Sequence, residues 1–365
     1  MTKNSTDLRK YSFKGKYSSR APSKIPKVKK ETKELYTYQL PPTIRDYGNQ
    51  LTPTDVIFNF ESDEKLADKY ERAIEFIFEQ VLSADEDEKE LSAMAKRSNV
   101  ALTFLTYNIA IFEVNEIKIL MKLIYDEDDY FEDEVTVLQH TFNSRVVYSY
   151  EFYKNTDDNK GVLSMEYLPV SGWFPKSTKK NGCLVNNNVD YKKKENLIRI
   201  WTRDVLIGLN SLHHGGYAHL DFKPDNVFGA VEEDRLVFKL IDFGDVAKVK
   251  RGEFISRDSG STGYKHYKEM KENMAGTFSD IFALGMSLCY FGVKEDSDNL
   301  LHDFSKADVD ESMAYVYKKY KYDTNYSDEL IDFVECCLRD DLASRPSAEA
   351  LLEHPFITGH TKMSH

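Results

Sequence analysis

The sequence predicts an α+β chain in two unequal lobes, a small antiparallel β lobe with one inserted helix followed by a mainly helical large lobe. Residues 100–168 break into short runs rich in β-branched and aromatic residues, VALTFL, NIAIFEV, EIKILMKLI, RVVYSYEFY and KGVLSMEYL. Runs of that composition and length favour strands. They are interrupted once by FEDEVTVLQHTF, where Val135, Leu138 and Phe142 recur at helical spacing. Further on the period changes, and Leu197, Ile198, Trp201, Val205, Ile207, Leu209 and Leu212 line one face of a long helix. At 365 residues the chain has room for both lobes.

Taken in order, residues 1–53 are rich in Ser, Lys, Pro and Tyr with no sustained period, and read as a basic flexible arm. Residues 54–98 read as a helical extension. Thr54 or Asp55 is placed to cap a first segment and Ser62 a second, with Asp63 and Glu64 in its first turn. Ala67, Tyr70, Ala73, Ile74, Ile77 and Phe78 supply its apolar face, and a second helix is expected from Asp85 to Lys96. The small lobe then spans 99–168, with the acidic connector DEDD (Asp126–Asp129) leading into its helix. The large lobe spans 169–358, opening on a polar loop at 169–192, and 359–365 form a tail. HHGG ends the long helix, with glycine in its usual C-terminal role. Two strands follow, NVFGAV and LVFKLI, around the charged turn EEDR. Helical patterns recur at 280–291, 312–320, 328–338 and 347–353.

Composition narrows the function classes. Hydrophobic residues make up 41% and charged residues 30%, as in a folded soluble protein. No run of 18 apolar residues appears, so no membrane span is expected, and the N-terminus lacks the apolar core of a secretory signal. Cys183, Cys289, Cys336 and Cys337 have no metal-ligand spacing and read as reduced thiols, mostly buried, of an intracellular protein. The net charge of −12 is uneven: residues 1–35 carry eleven Lys/Arg against three Asp/Glu, a local +8, which leaves −20 on the rest. An acidic body argues against a nucleic-acid enzyme. The arm suits an anionic partner or an import receptor, with PKVKK (Pro26–Lys30) as the import candidate, unless it is only a solvated tail. The expected location is cytoplasmic, with the nucleus open through that motif.

The chemistry concentrates in His219–Asn226, HLDFKPDN, which packs an imidazole, two carboxylates, an ammonium and an amide into eight residues. Sixteen residues after Asn226 comes Asp242-Phe243-Gly244. This constellation, with Lys122 in ILMKLI, Glu134 in DEVTVL, SDIFALGMSL at Ser279–Leu288 and SRPSAEALLEHPF at Ser344–Phe356, resembles the eukaryotic-type Ser/Thr protein kinase family over about 70% of the chain. The resemblance implies a bilobal protein-kinase fold, MgATP and a protein substrate. It makes Asp221 the base that accepts the substrate hydroxyl proton, and Lys223 the cation that contacts the γ-phosphate. Asn226 and Asp242 become the Mg²⁺ ligands. Lys122 would hold the α- and β-phosphates with Glu134 fixing it, though Lys118, Glu132 and Asp133 compete for those places. In SMEYLP, Met165 would gate the adenine pocket, and the main chain of Glu166 to Leu168 would bond the adenine edge. Asp280 would hold the catalytic loop, with Phe282 in place of the usual Trp and Arg345 as the structural arginine.

The sequence departs from that family in three places. The hairpin near VALTFLTYNIAIF holds no glycine, although glycine normally lets backbone amides reach the phosphates there. In this it is similar to glycine-loop-free parasite kinases such as the FIKK group. Leu220 stands where the family has an arginine that receives an activation-segment phosphate, so activity is expected without that phosphorylation. In GSTGYKHYKEM, ungapped counting puts Lys268 at the usual glutamate position, whereas a shift of one residue pairs Glu269 with Arg345. Ser261, like Lys223, points to Ser/Thr rather than Tyr acceptors, and Ser256, Ser259 and Thr262 are candidate phosphorylation sites. The competing readings are a pseudokinase scaffold, favoured by the glycine-free hairpin, and a small-molecule kinase.

Overall fold

The computed structural model describes residues 8–12, 64–82, 87–115, 117–125, 130–141, 143–155, 160–173, 191–232, 234–292, 317–318, 320–321 and 325–359. The expected caps at Thr54, Asp55 and Ser62, the DEDD connector, Cys183, and most of the 169–192 and 312–320 segments lie outside them. The chain forms two compact units, one ending at Tyr167 and the other resuming at Leu168, with the short crossing Asn143–Val146 counted in the second.

The first unit is a six-stranded antiparallel sheet of β1 (Leu8–Ser12), β2 (Leu102–Thr106), β3 (Ile109–Val114), β4 (Ile117–Ile124), β5 (Ser149–Asn155) and β6 (Gly161–Glu166), in the order β1-β5-β6-β4-β3-β2. Five strands and one inserted helix, α3 (Tyr130–His140), match the sequence reading. The sixth strand does not, because Leu8–Ser12 falls in the arm expected to be flexible. It adds by main-chain bonds to the open edge of β5, a pairing that needs no particular side-chain period.

Two helices flank this sheet. α1 (Glu64–Phe76) runs into a π turn at Ile77–Val81, and α2 (Glu88–Arg97) begins three residues later than expected. Asp87 sets that start, its carboxylate accepting from the N–H groups of Lys89 and Glu90 at 3.0 and 2.9 Å, while Lys96 and Arg97 close the last turn. The extension shares one core with the sheet, in which Leu66, Tyr70, Ile77 and Leu91 meet Phe104, Phe112, Met121 and Val162. Tyr70 is its pin: the hydroxyl donates to Ser164 Oγ on β6 at 2.6 Å, and the ring meets Phe112 edge-on at 5.5 Å.

The second unit is mainly helical. α4 (Tyr191–His214) is the long amphipathic helix, followed by β8 (Tyr217–Ala218) and a 3₁₀ turn at Pro224–Asn226. β9 (Val227–Glu232) and β10 (Arg235–Leu240) form the expected hairpin, and β7 (Val170–Ser171) pairs with β9. β11 (Ala247–Lys248) pairs with β8, and β12 (Ile255–Ser256) pairs across α5 (Tyr267–Glu272) with β13 (Met274–Ala275). α6 (Thr277–Gly292) and α7 (Asp328–Cys337) pack together, with α8 (Ala348–Leu352) and α9 (Pro355–Thr358) against α4. Gly285 permits the α6–α7 approach, since a Cβ there would stand 2.8 Å from Cys337 Cβ. Trp201 anchors the core with its ring 4.9 Å from that of Phe291.

Candidate active site

In the first unit, Lys122 and Glu134 find each other. Strand β4 aims Lys122 Nζ at both carboxylate oxygens of Glu134 on α3, at 2.9 and 3.0 Å. The ammonium is 16% exposed and the carboxylate 3%, so the pair is shielded and two-pronged, unlike a surface bridge. Of the two strand lysines, Lys122 is the one that meets Glu134. Lys118, on the same strand, pairs instead with exposed Glu113 at 3.3 Å and lies over the Tyr167 ring. Met165 is buried at the end of β6, opposite Leu120. Glu166 is held on both sides: its N–H donates to Tyr148 O at 3.0 Å, and its carboxylate accepts from Tyr148 N at 2.7 Å. Leu168 is buried and belongs to the second unit.

The second unit assembles the polar network around Asp221. Lys223 Nζ donates to Asp221 Oδ2 at 2.7 Å and to Ser261 Oγ at 2.6 Å. The Ser261 hydroxyl donates to Asp221 Oδ1 at 2.7 Å, closing a three-membered ring of bonds. Asn226 Nδ2 donates to Asp221 O and Oδ2 at 2.8 and 3.0 Å. The amide end of Asn226 is thereby turned toward the loop, which orients its carbonyl oxygen the other way. Both carboxylate oxygens of Asp221 are fixed by neighbours, so the group is oriented before any substrate arrives.

Backbone geometry explains why the loop holds this shape. Leu220 sits at φ 64 and Asp242 at φ 59, in the left-handed region that few non-glycine residues adopt. The turn at Leu220 is held by Asp280, buried on α6. Its carboxylate accepts from the N–H groups of His219 and Leu220, each at 2.8 Å, and from His213 Nε2 at 2.9 Å. His219 Nε2 donates to Ile241 O at 3.1 Å and Ile241 N to Asn226 O at 3.0 Å, tying the loop to the Asp242 segment. Gly260 passes so close that a Cβ would sit 2.7 Å from Leu220 O.

The activation segment settles two expectations. Arg345 Nη1 meets Glu269 Oε1 at 2.6 Å, both side chains 0% exposed, whereas Lys268 Nζ donates to Asp340 O at 3.3 Å and lies over the Tyr267 ring. The shifted register is therefore the one adopted. Burial pushes the Glu269 carboxyl above its usual range, with Arg345 pulling the other way. Phe282 replaces tryptophan as a platform, the Arg345 guanidinium lying 4.7 Å from its ring centre. Where an arginine would meet a phosphate, Leu220 instead joins Ala218, Ala247, Val249 and Ala275 in a buried apolar cluster. Of the candidate phosphorylation sites, Ser259 is buried while Ser256 and Thr262 are exposed.

Some functional neighbours had no readable signal. His213 looked only like part of a helix end, yet it completes the shell of Asp280. Trp173 Nε1 donates to Asp225 Oδ1 at 2.9 Å across 52 positions of sequence. Asp242 and Asn226 carry side-chain oxygens of the hard kind that Mg²⁺ prefers. Among the described residues, one trio has metal-type ligands close together, Asp332, Cys336 and His354. Its geometry is that of a helix cap. His354 Nδ1 accepts from Phe356 N at 3.2 Å, which places the ring proton on Nε2, facing Asp332 Oδ2 at 3.0 Å. No helix among the described residues is long and apolar enough to cross a membrane.

The chain is similar to known protein kinases. The chain is 28% identical over 248 residues to serine/threonine-protein kinase dst2 of Dictyostelium discoideum, covering 64% of this chain and 20% of that protein. It is 27% identical over 241 residues to mitogen-activated protein kinase kinase kinase 17 of Arabidopsis thaliana, covering 63% and 59%. A membrane-associated tyrosine- and threonine-specific cdc2-inhibitory kinase of Drosophila melanogaster is 34% identical over 168 residues, covering 44% and 28%. In each case the match spans less than two thirds of the relative's length. Residues 106–357 match the protein kinase domain family, and that match, over well more than half the chain, makes this protein a member of it.

Proposed function

We propose that this chain is an ATP-dependent protein kinase that transfers the γ-phosphate of MgATP to Ser or Thr hydroxyls of protein substrates. The observation that carries the reading is the closed Asp221–Lys223–Ser261 network with Asn226 behind it. Phosphoryl transfer asks little covalent work of a protein and much alignment and charge neutralisation. Asp221 aligns the acceptor hydroxyl and takes its proton as the oxygen bonds to phosphorus and the bond to ADP breaks. Lys223 stands beside that carboxylate to neutralise charge on the transferring group. Lys122, kept in place by Glu134, binds the α- and β-phosphates, with Met165 and the main chain of Glu166 to Leu168 against the adenine. Asn226 and Asp242 would hold Mg²⁺, which would neutralise phosphate charge when bound. Ser261, bonded to both Asp221 and Lys223, supports a Ser/Thr acceptor, as does the printed name of one relative, serine/threonine-protein kinase dst2.

The test is transfer of radiolabelled phosphate from ATP to a peptide library, comparing the wild-type chain with Asp221→Asn. Removing the base lowers turnover by about 10²–10⁴-fold with folding unchanged. Equal turnover in the two proteins removes Asp221 from its role. The second reading, a pseudokinase scaffold, is favoured by the glycine-free hairpin. It predicts no transfer from the wild-type chain and no thermal stabilisation by MgATP.

A further inference from the structure

The β2–β3 hairpin occupies the sequence position of the family's glycine-rich phosphate cover, and its geometry shows how it is built without glycine. No residue from 102 to 114 adopts positive φ, so the turn needs none. A register shift between Phe104 and Thr106 absorbs the bend instead. The tip is bonded to itself and to β4. Asn108 N donates to Thr106 Oγ1 at 3.3 Å, and the Thr106 hydroxyl donates to Asn108 Oδ1 at 2.7 Å. Leu123 N donates to Asn108 O at 2.7 Å. Just past the end of β4, the Tyr125 hydroxyl donates to Tyr107 O at 3.0 Å, with the two rings 6.0 Å apart. At the other end, Phe104 N donates to Ser92 Oγ of α2 at 3.4 Å, and Glu113 N to Ala101 O at 3.1 Å.

We propose that Tyr125 is a positioning residue for nucleotide binding: its hydroxyl clips the hairpin tip, so that the hairpin works as a fixed cover rather than a mobile one. This rests on the ATP-using reading above. A glycine-rich tip gains affinity by bending onto phosphates. A clipped tip cannot bend, and its contribution depends on already being in place. Without the clip the tip is competent for only part of the time, and apparent affinity falls by that fraction. Turnover from the bound state does not change, because the acceptor is activated by Asp221, Lys223 and Ser261.

Tyr125→Phe keeps the ring and removes only the hydroxyl. The expected results are faster hydrogen exchange at the amides of residues 107–109 and a KM for ATP raised about fivefold, the worth of one hydrogen bond. kcat, peptide KM and melting temperature stay in place. Unchanged exchange overturns the clip, and faster exchange with unchanged KM for ATP overturns the positioning role. A parallel fall in kcat and melting temperature reduces Tyr125 to a structural residue, which also overturns it. If the wild-type chain transfers no phosphate, the kinase reading fails, while the exchange measurement still decides whether the clip holds.

Discussion

Replacing Leu220 by arginine restores the residue the family usually has before its catalytic aspartate, and the structure says that this restoration is harmful. Leu220 is 5% exposed and packs with Ala218, Ala247, Val249 and Ala275, with Ile255 at the edge. Losing that burial costs about 1.5–3 kcal/mol. A guanidinium among these apolar groups adds about 1–3 kcal/mol for unmatched donors, less whatever the long side chain recovers by reaching solvent. The φ of 64 penalises leucine and arginine alike and cancels from the comparison. The net is about 3 kcal/mol, or roughly 6–12 °C in melting temperature for a unit of this size. Thermal unfolding of the two proteins measures the shift. Phosphatase treatment measures the other half of the argument: wild-type turnover stays within about twofold, because no arginine–phosphate contact organises the loop. An arginine variant as stable as the wild type, with turnover that phosphatase abolishes, would refute the reasoning.

Two further outcomes follow from the buried ion pairs. Glu134→Gln keeps the shape but weakens the hold on Lys122 Nζ, and kcat/KM for ATP falls about 10- to 100-fold, measured by steady-state kinetics at fixed peptide. Glu269→Ala leaves Arg345 buried without its carboxylate and costs about 3–5 kcal/mol, read as a lowered urea midpoint at unchanged slope.

Much of this site was legible in the sequence because its residues are close in sequence or fixed by short spacing. His219–Asn226 is one turn and one 3₁₀ segment, so eight letters nearly specify its geometry. The Lys122–Glu134 pair was legible as a strand lysine and a helix glutamate, but not in register. Lys118 and Lys122 share a face, and only the direction of α3 separates them. The Glu269–Arg345 pairing needed the path of the chain after Tyr264, which counting along the sequence does not give. What could not be read was contact between distant segments. Tyr70 with Ser164 is separated by 94 positions, His213 with Asp280 by 67 and Trp173 with Asp225 by 52. None of these residues announces its partner by type or period. β1 was missed for a different reason: an added edge strand is recruited by main-chain bonds, and composition does not encode those.

The departures from the family share a physical direction. An arginine that would meet phosphate has become Leu220 in an apolar cluster, and a flexible glycine tip has become a hairpin clipped by Tyr125. A helical extension closes the sheet with the Tyr70 ring. At Leu220 a device that responds to charge gives way to one held by packing, and at the hairpin tip one that bends gives way to one held by a hydrogen bond. Apolar contacts are not screened by salt, whereas arginine–phosphate contacts are. They also need no modifying enzyme to form. Order in segments held this way follows their own stability, where a change of 1–2 kcal/mol alters the folded population by about 5–30-fold.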